Sequence, residues 1–111
     1  YEIGSGLVGS EMCIRDRTHE LFDFAETIFD VLESRVVTLT KKTEDKGVRL
    51  TFPDMPYLIV WSKPEGDFVA VEPWGGLSTC SDEDDILEHK RGCLVAKPGE
   101  TVTRGFEIEI L

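Results

Sequence analysis

Long apolar runs are missing from this chain. The longest stretch free of polar residues near its middle, Tyr57-Leu58-Ile59-Val60-Trp61, falls far short of the about 20 residues that a membrane-spanning helix needs. Basic residues are scarce as well: 12 Lys and Arg stand against 22 Asp and Glu, a formal net charge of -10. Such a balance repels phosphate backbones and anionic headgroups, so neither nucleic acid nor a membrane surface is an expected partner. Cysteine is sparse and odd in number. Cys13, Cys80 and Cys93 lack the dense regular spacing of a small secreted disulfide scaffold, which points to a reduced, cytoplasmic compartment. Cys80 and Cys93 could join His19 and His89 around zinc, but no C-x-x-C or H-x-x-x-H pair sets up the usual ligand spacing, and no metal is expected. With 111 residues there is room for one small domain. No internal repeat or low-complexity tract occurs.

Residues 1–17 do not read like the remainder. Gly4, Ser5, Gly6, Gly9 and Ser10 are scattered among apolar residues without a sustained period. The run Leu7-Val8-Gly9-Ser10-Glu11-Met12-Cys13-Ile14-Arg15-Asp16-Arg17 resembles the translated read-through of a sequencing adapter and is set aside from fold reasoning. A secretory signal would need a basic start and an uninterrupted apolar stretch, and neither is there. The natural sequence is then expected to begin near Thr18. No methionine opens that remaining segment, so residues 18–111 are expected to be a fragment of a longer protein.

From Thr18 onward the dominant period is two. Val37 and Leu39, then Val48, Leu50 and Phe52, alternate with polar neighbours across a charged turn, Lys41 to Gly47, which predicts a hairpin. Leu58 to Trp61 and Phe68 to Glu72, joined by Ser62-Lys63-Pro64-Glu65-Gly66-Asp67, predict a second. Near the end Phe106, Ile108 and Ile110 alternate with Glu107 and Glu109, the pattern of a strand with one dry and one wet face. One short helix is expected after Ser81, with Ser81 as its cap and Asp82-Glu83-Asp84-Asp85 as a solvated first turn. No calcium-loop glycine accompanies that acidic run. Leu21, Phe24, Ala25, Ile28, Phe29 and Leu32 sit at helical spacing, which taken alone favours an amphipathic helix.

Chemistry concentrates in Trp61-Ser62-Lys63-Pro64 and Phe68-Val69-Ala70-Val71-Glu72-Pro73-Trp74-Gly75-Gly76. Alternation puts Phe68, Ala70 and Glu72 on one strand face, so a carboxylate closes an otherwise apolar row. Pro73 removes a ladder donor and is expected to stop the strand there, leaving Glu72 at its mouth. Trp74 offers a flat apolar ring with one donor, and Gly75 and Gly76 permit a sharp turn beside it. These parts suit a sugar. Without further information a lone glutamate at a strand end is more often solvated than catalytic, and both tryptophans are more often core.

The stretch resembles the aldose 1-epimerase (galactose mutarotase-like) family, in particular its LacX-related branch, where a Trp-Ser-Lys-Pro segment leads into a strand ending Glu-Pro-Trp. Lys90, Gly92, Pro98-Gly99-Glu100 and the closing strand match in order and approximate spacing, as do His19-Glu20-Leu21-Phe22 and Ser34-Arg35-Val36-Val37-Thr38-Leu39. The likeness spans residues 18–111 and implies an all-β fold, the C-terminal strands of a large twisted sandwich; it also turns part of Leu21 to Leu32 into strand. It implies Glu72 as the general base of anomer interconversion on a free hexose, with Trp74, Trp61 and Glu26 as sugar-binding positions. The family's acid is a histidine placed well upstream, and neither His19 nor His89 lies in a matching context, so the fragment by itself is expected to be inactive. The sequence departs from its relatives at Thr79 and at Glu26, where Asp is usual. A non-catalytic carbohydrate-binding sandwich is the alternative, needing Trp74 and not Glu72.

Overall fold

The computed structural model describes residues 27–63 and 65–111, with the backbone of residues 2–4 and 15–16. Among the described residues the chain is nearly all β, two antiparallel sheets packed face to face. Its strands are β1 (Glu2–Gly4), β2 (Arg15–Asp16), β3 (Thr27–Phe29), β4 (Val36–Thr40), β5 (Gly47–Thr51), β6 (Tyr57–Trp61), β7 (Ala70–Trp74) and β8 (Glu107–Ile110). One sheet runs in the order β2-β1-β4-β5-β8 and the other β3-β6-β7. Arg15–Asp16 of β2 belong to the adapter-like run; the rest of that run and of residues 1–17 lies outside the described residues, as do His19 and Glu26.

The first hairpin follows from its charged turn. Lys41 N–H donates to the Lys46 carbonyl at 2.9 Å, and Lys41 and Glu44 form an ion pair across the loop at 2.6 Å. This pins Val37 opposite Leu50 and Leu39 opposite Val48, so all four apolar side chains share one face. In the second sheet Leu58 and Val60 of β6 face Pro73 and Val71 of β7, and Phe29 of β3 pairs with Leu58. The two inner faces meet in a core of Phe29, Val37, Leu50, Phe52, Leu58 and Val60. Phe52 and Leu58 are wholly buried. The stretch with helical spacing is strand over Thr27–Phe29, because alternation there lets Phe29 enter this core while Ile28 turns outward, and burial overrides a local period.

Three expectations need correction. Strand β7 does not stop before Pro73 but continues through it to Trp74, so Glu72 lies at mid-strand. Among the described residues β7 is the edge of its sheet, and an edge strand tolerates a missing donor. Ser81 caps no helix. The only helical element described is a 3-10 turn, Leu87–His89, with Ile86 at its start. Asp84 competes for the backbone that a helix would need: its Oδ1 accepts from Ile86 N–H at 3.0 Å, and Asp85 is held in the left-handed region at φ 62°. Finally, β8 has no dry face. Ile108 and Ile110 pair with Leu50 and Val48 and so share their face, yet remain 58% and 76% exposed, so strand pairing alone does not bury them. An open apolar groove of about 220 Å³, lined by Val37, Leu39, Val48, Leu50, Val69, Val71 and Ile108, runs along that inner face.

Two outcomes follow. Leu58→Ala should cost about 2–5 kcal/mol in urea unfolding of the chain, whereas Ile110→Thr should change stability by less than about 0.5 kcal/mol. The Asp84 carboxyl is held below its ordinary pKa, chiefly by the His89 ring at 2.6 Å and next by Ile86 N–H. A depressed folded value means that its contribution is present above the ordinary carboxyl pKa and is lost as pH falls through the depressed one. An NMR acid titration should therefore show the Ile86 amide moving only below the ordinary aspartate range, a step absent from Asp84→Ala.

Candidate functional site

The register of β6 against β7 builds the site. Trp61 lies opposite Ala70, Ile59 opposite Glu72 and Tyr57 opposite Trp74, and directly opposed residues share a face. This face is the one turned away from the core. Strand β3 adds Ile28 opposite Ile59, so Ile28, Ile59 and Glu72 form a row across three strands. Ile59 is 1% exposed and stands outside the inter-sheet core, giving Glu72 an apolar neighbour on the facing strand.

Both carboxylate oxygens of Glu72 are engaged. Trp61 Nε1–H donates to Oε1 at 2.6 Å, and Trp74 Nε1–H donates to Oε2 at 2.9 Å. Strand geometry explains how: Trp61 is the diagonal neighbour of Glu72 on the facing strand, within the about 7–8 Å that aromatic side chains bridge, and Trp74 is two residues further along the same strand and face. The indoles are themselves supported. Trp61 stands edge-on to Phe68 with ring centres 5.4 Å apart at 88°, a favourable aromatic arrangement. Phe68 is placed by the turn, where Ser62, 5% exposed, donates through Oγ to the Phe68 carbonyl at 2.5 Å.

Beyond Trp74 the chain turns at Gly75 and Gly76. Arg104, 29 residues on, donates through Nη1 to the Gly75 carbonyl at 3.0 Å and anchors the approach to β8. Gly92 packs against the same corner with φ 72°; a Cβ there would lie 2.6 Å from the Tyr57 ring and 3.1 Å from the Gly75 carbonyl. Lys90 Nζ donates to Thr79 Oγ1 at 2.5 Å and lies 3.9 Å from Glu83. Arg91 donates to Cys80 Sγ, and its guanidinium pKa is raised chiefly by its charge interaction with that sulfur.

Of the positions singled out from sequence, the structure thus brings together Glu72, Trp61 and Trp74; Glu26 lies outside the described residues. His89 is bound to Asp84 in the exposed turn. Ile59, Tyr57 and Arg104 escaped sequence reasoning. A strand over the β-rich run Tyr57 to Trp61 would put the first two on the face of Trp61, while nothing local marks an arginine acting across 29 residues.

The fold and this face define an all-β sandwich that carries one carboxylate between two indole donors. No family model matches the chain. Among curated proteins it is similar to Protein LacX, plasmid, and Protein LacX, chromosomal, both of Lactococcus lactis subsp. lactis; each is 40% identical over 97 residues, 86% of this chain and 32% of the relative. That likeness supports a relationship to LacX. The chain spans about a third of the length of these curated relatives. No solved structure matches it.

Gly92 and Gly99 separate backbone strain from crowding at this corner. Both have positive φ, but a Cβ at Gly99 meets nothing within 4 Å. Gly99→Ala should cost about 1–2 kcal/mol in urea unfolding, and Gly92→Ala at least about 1 kcal/mol more, because Tyr57 must move.

Proposed function

We propose that the chain is the C-terminal part of a LacX-like aldose 1-epimerase and that Glu72 is its general base. The observation that carries this reading is the Glu72 carboxylate, held by two indole donors on an apolar sheet face. The likeness to LacX and the Trp-Ser-Lys-Pro and Glu-Pro-Trp segments support it. A carboxylate ionised near neutrality takes the proton of the anomeric hydroxyl while an acid protonates the ring oxygen. The C1 to ring-oxygen bond breaks and the open-chain aldehyde forms. Rotation about the bond between C1 and C2 then presents either carbonyl face, and reversal of the proton transfers closes the ring to either anomer. No metal or redox step enters.

The substrate class is a free hexose acting in the cytoplasm. Trp61, 37% exposed, and Trp74 offer ring surface to the apolar side of a pyranose, and Glu26 is a further sugar-contacting position. In this reading the acid is supplied from outside residues 18–111, as the resemblance implies. His89 is no substitute, since its Nδ1 faces Asp84 at 2.6 Å in a turn apart from the Glu72 strand pair.

Polarimetry of freshly dissolved α-glucose or α-galactose tests this reading. The 111-residue chain should leave the spontaneous rate unchanged. The protein extended by its natural upstream sequence should accelerate mutarotation, and Glu72→Gln should lower that rate by about 10²–10⁴-fold. An extended protein that binds hexose without catalysis, and equally well as Glu72→Gln, would instead be a carbohydrate-binding module.

A further inference from the structure

We propose that Trp61 and Trp74 are positioning residues for Glu72, their indole N–H groups committed to its carboxylate and not to the sugar; the inference rests on Glu72 being the base. An indole has a single donor. Trp61 uses its donor on Oε1 at 2.6 Å and Trp74 on Oε2 at 2.9 Å, so neither has a donor left for a ligand. Two donors on two different oxygens also fix what the side chain leaves loose. The terminal torsion of a glutamate is broad and nearly two-fold, and a clamp at both oxygens selects one carboxylate plane.

The donors arrive from separate strands, one braced by Phe68 at 5.4 Å and the other set opposite Tyr57 by the strand register. Bonds to an ionised acceptor are stronger than neutral ones. An ionised carboxylate offers about four lone-pair sites, so the clamp leaves oxygen sites free to accept a proton. The group presented to Glu72 must therefore be a donor. A hydroxyl fits; a phosphate or carboxylate would meet like charge with both indole donors already used. The clamp thus orients the base and selects a hydroxyl over an anionic group at this point of the site.

The 111-residue chain contains two tryptophans, so a nitrogen-15 proton correlation spectrum gives two indole signals and needs no ligand or activity. Both should lie downfield of free indole, and both should move upfield in Glu72→Gln, since glutamine has one acceptor oxygen and no charge. Glu65→Gln, on the exposed turn, should move neither. Trp61→Phe and Trp74→Phe each remove a donor and keep a ring. Each should shift the Glu72 carboxyl-carbon resonance and the remaining indole signal, which a merely space-filling tryptophan would not do. Should a phenylalanine variant fail to fold, the Glu72→Gln spectrum decides.

An indole signal unmoved by Glu72→Gln, or a Glu72 carboxyl-carbon resonance unchanged in both phenylalanine variants, would overturn the proposal. Unmoved indoles together with mutarotation lost from the extended Glu72→Gln protein would overturn the clamp and leave the base standing. Moved indoles together with full mutarotation would remove the base, and the catalytic role of the clamp with it.

Discussion

The register between β6 and β7 is the constraint on which the site depends. Antiparallel pairing sets Ile59 against Glu72 and Leu58 against Pro73, and side chains alternate faces strictly along each strand. One face therefore takes Leu58, Val60 and Val71 into or against the core, and the other receives Trp61, Glu72 and Trp74. A slip of one residue would exchange the faces, burying the carboxylate and exposing the aliphatic side chains. Core burial thus specifies the geometry of the polar face without touching it. The energy that locates Glu72 comes from the hydrophobic side of the sheet, where Leu58 is fully buried.

Order at the turn reinforces the same register. Ser62, buried beside Trp61, closes the connection through the Phe68 carbonyl, and Phe68 returns to brace the Trp61 ring. One short loop in this way satisfies a buried hydroxyl and orients an indole. At the other end of β7, Arg104 and Gly92 gather on Gly75. The carboxylate accordingly lies between two corners fixed by unrelated interactions.

Both central hairpins were legible in the sequence, the first from period-two alternation on either side of a charged turn and the second from two short β-rich runs joined by a proline-glycine turn. Glu72, Trp61 and Trp74 could be picked out from their local context, though not their mutual bonding. The errors have a common physical origin. Pro73 was expected to end a strand, and the helix after Ser81 was expected to form, by rules that hold when nothing else acts on the backbone. An edge position relieved the first; Asp84 and the left-handed Asp85 defeated the second. In β8 the alternation gave the facing of Ile108 and Ile110 correctly and their burial wrongly, since burial needs an opposing surface that alternation does not encode.

Sequence alone determined the two hairpins and which side chains share a face, since these depend on strand runs and turn residues lying close together in the chain, while the all-β class came from the family resemblance. Tertiary structure alone decided that the two indoles close on one carboxylate, that Ile59 stands opposite it and that Arg104 reaches Gly75 from 29 residues away. Those relations arise only when separate segments are brought into one register, and the free energy that sets the register is spread over a core which no single segment contains.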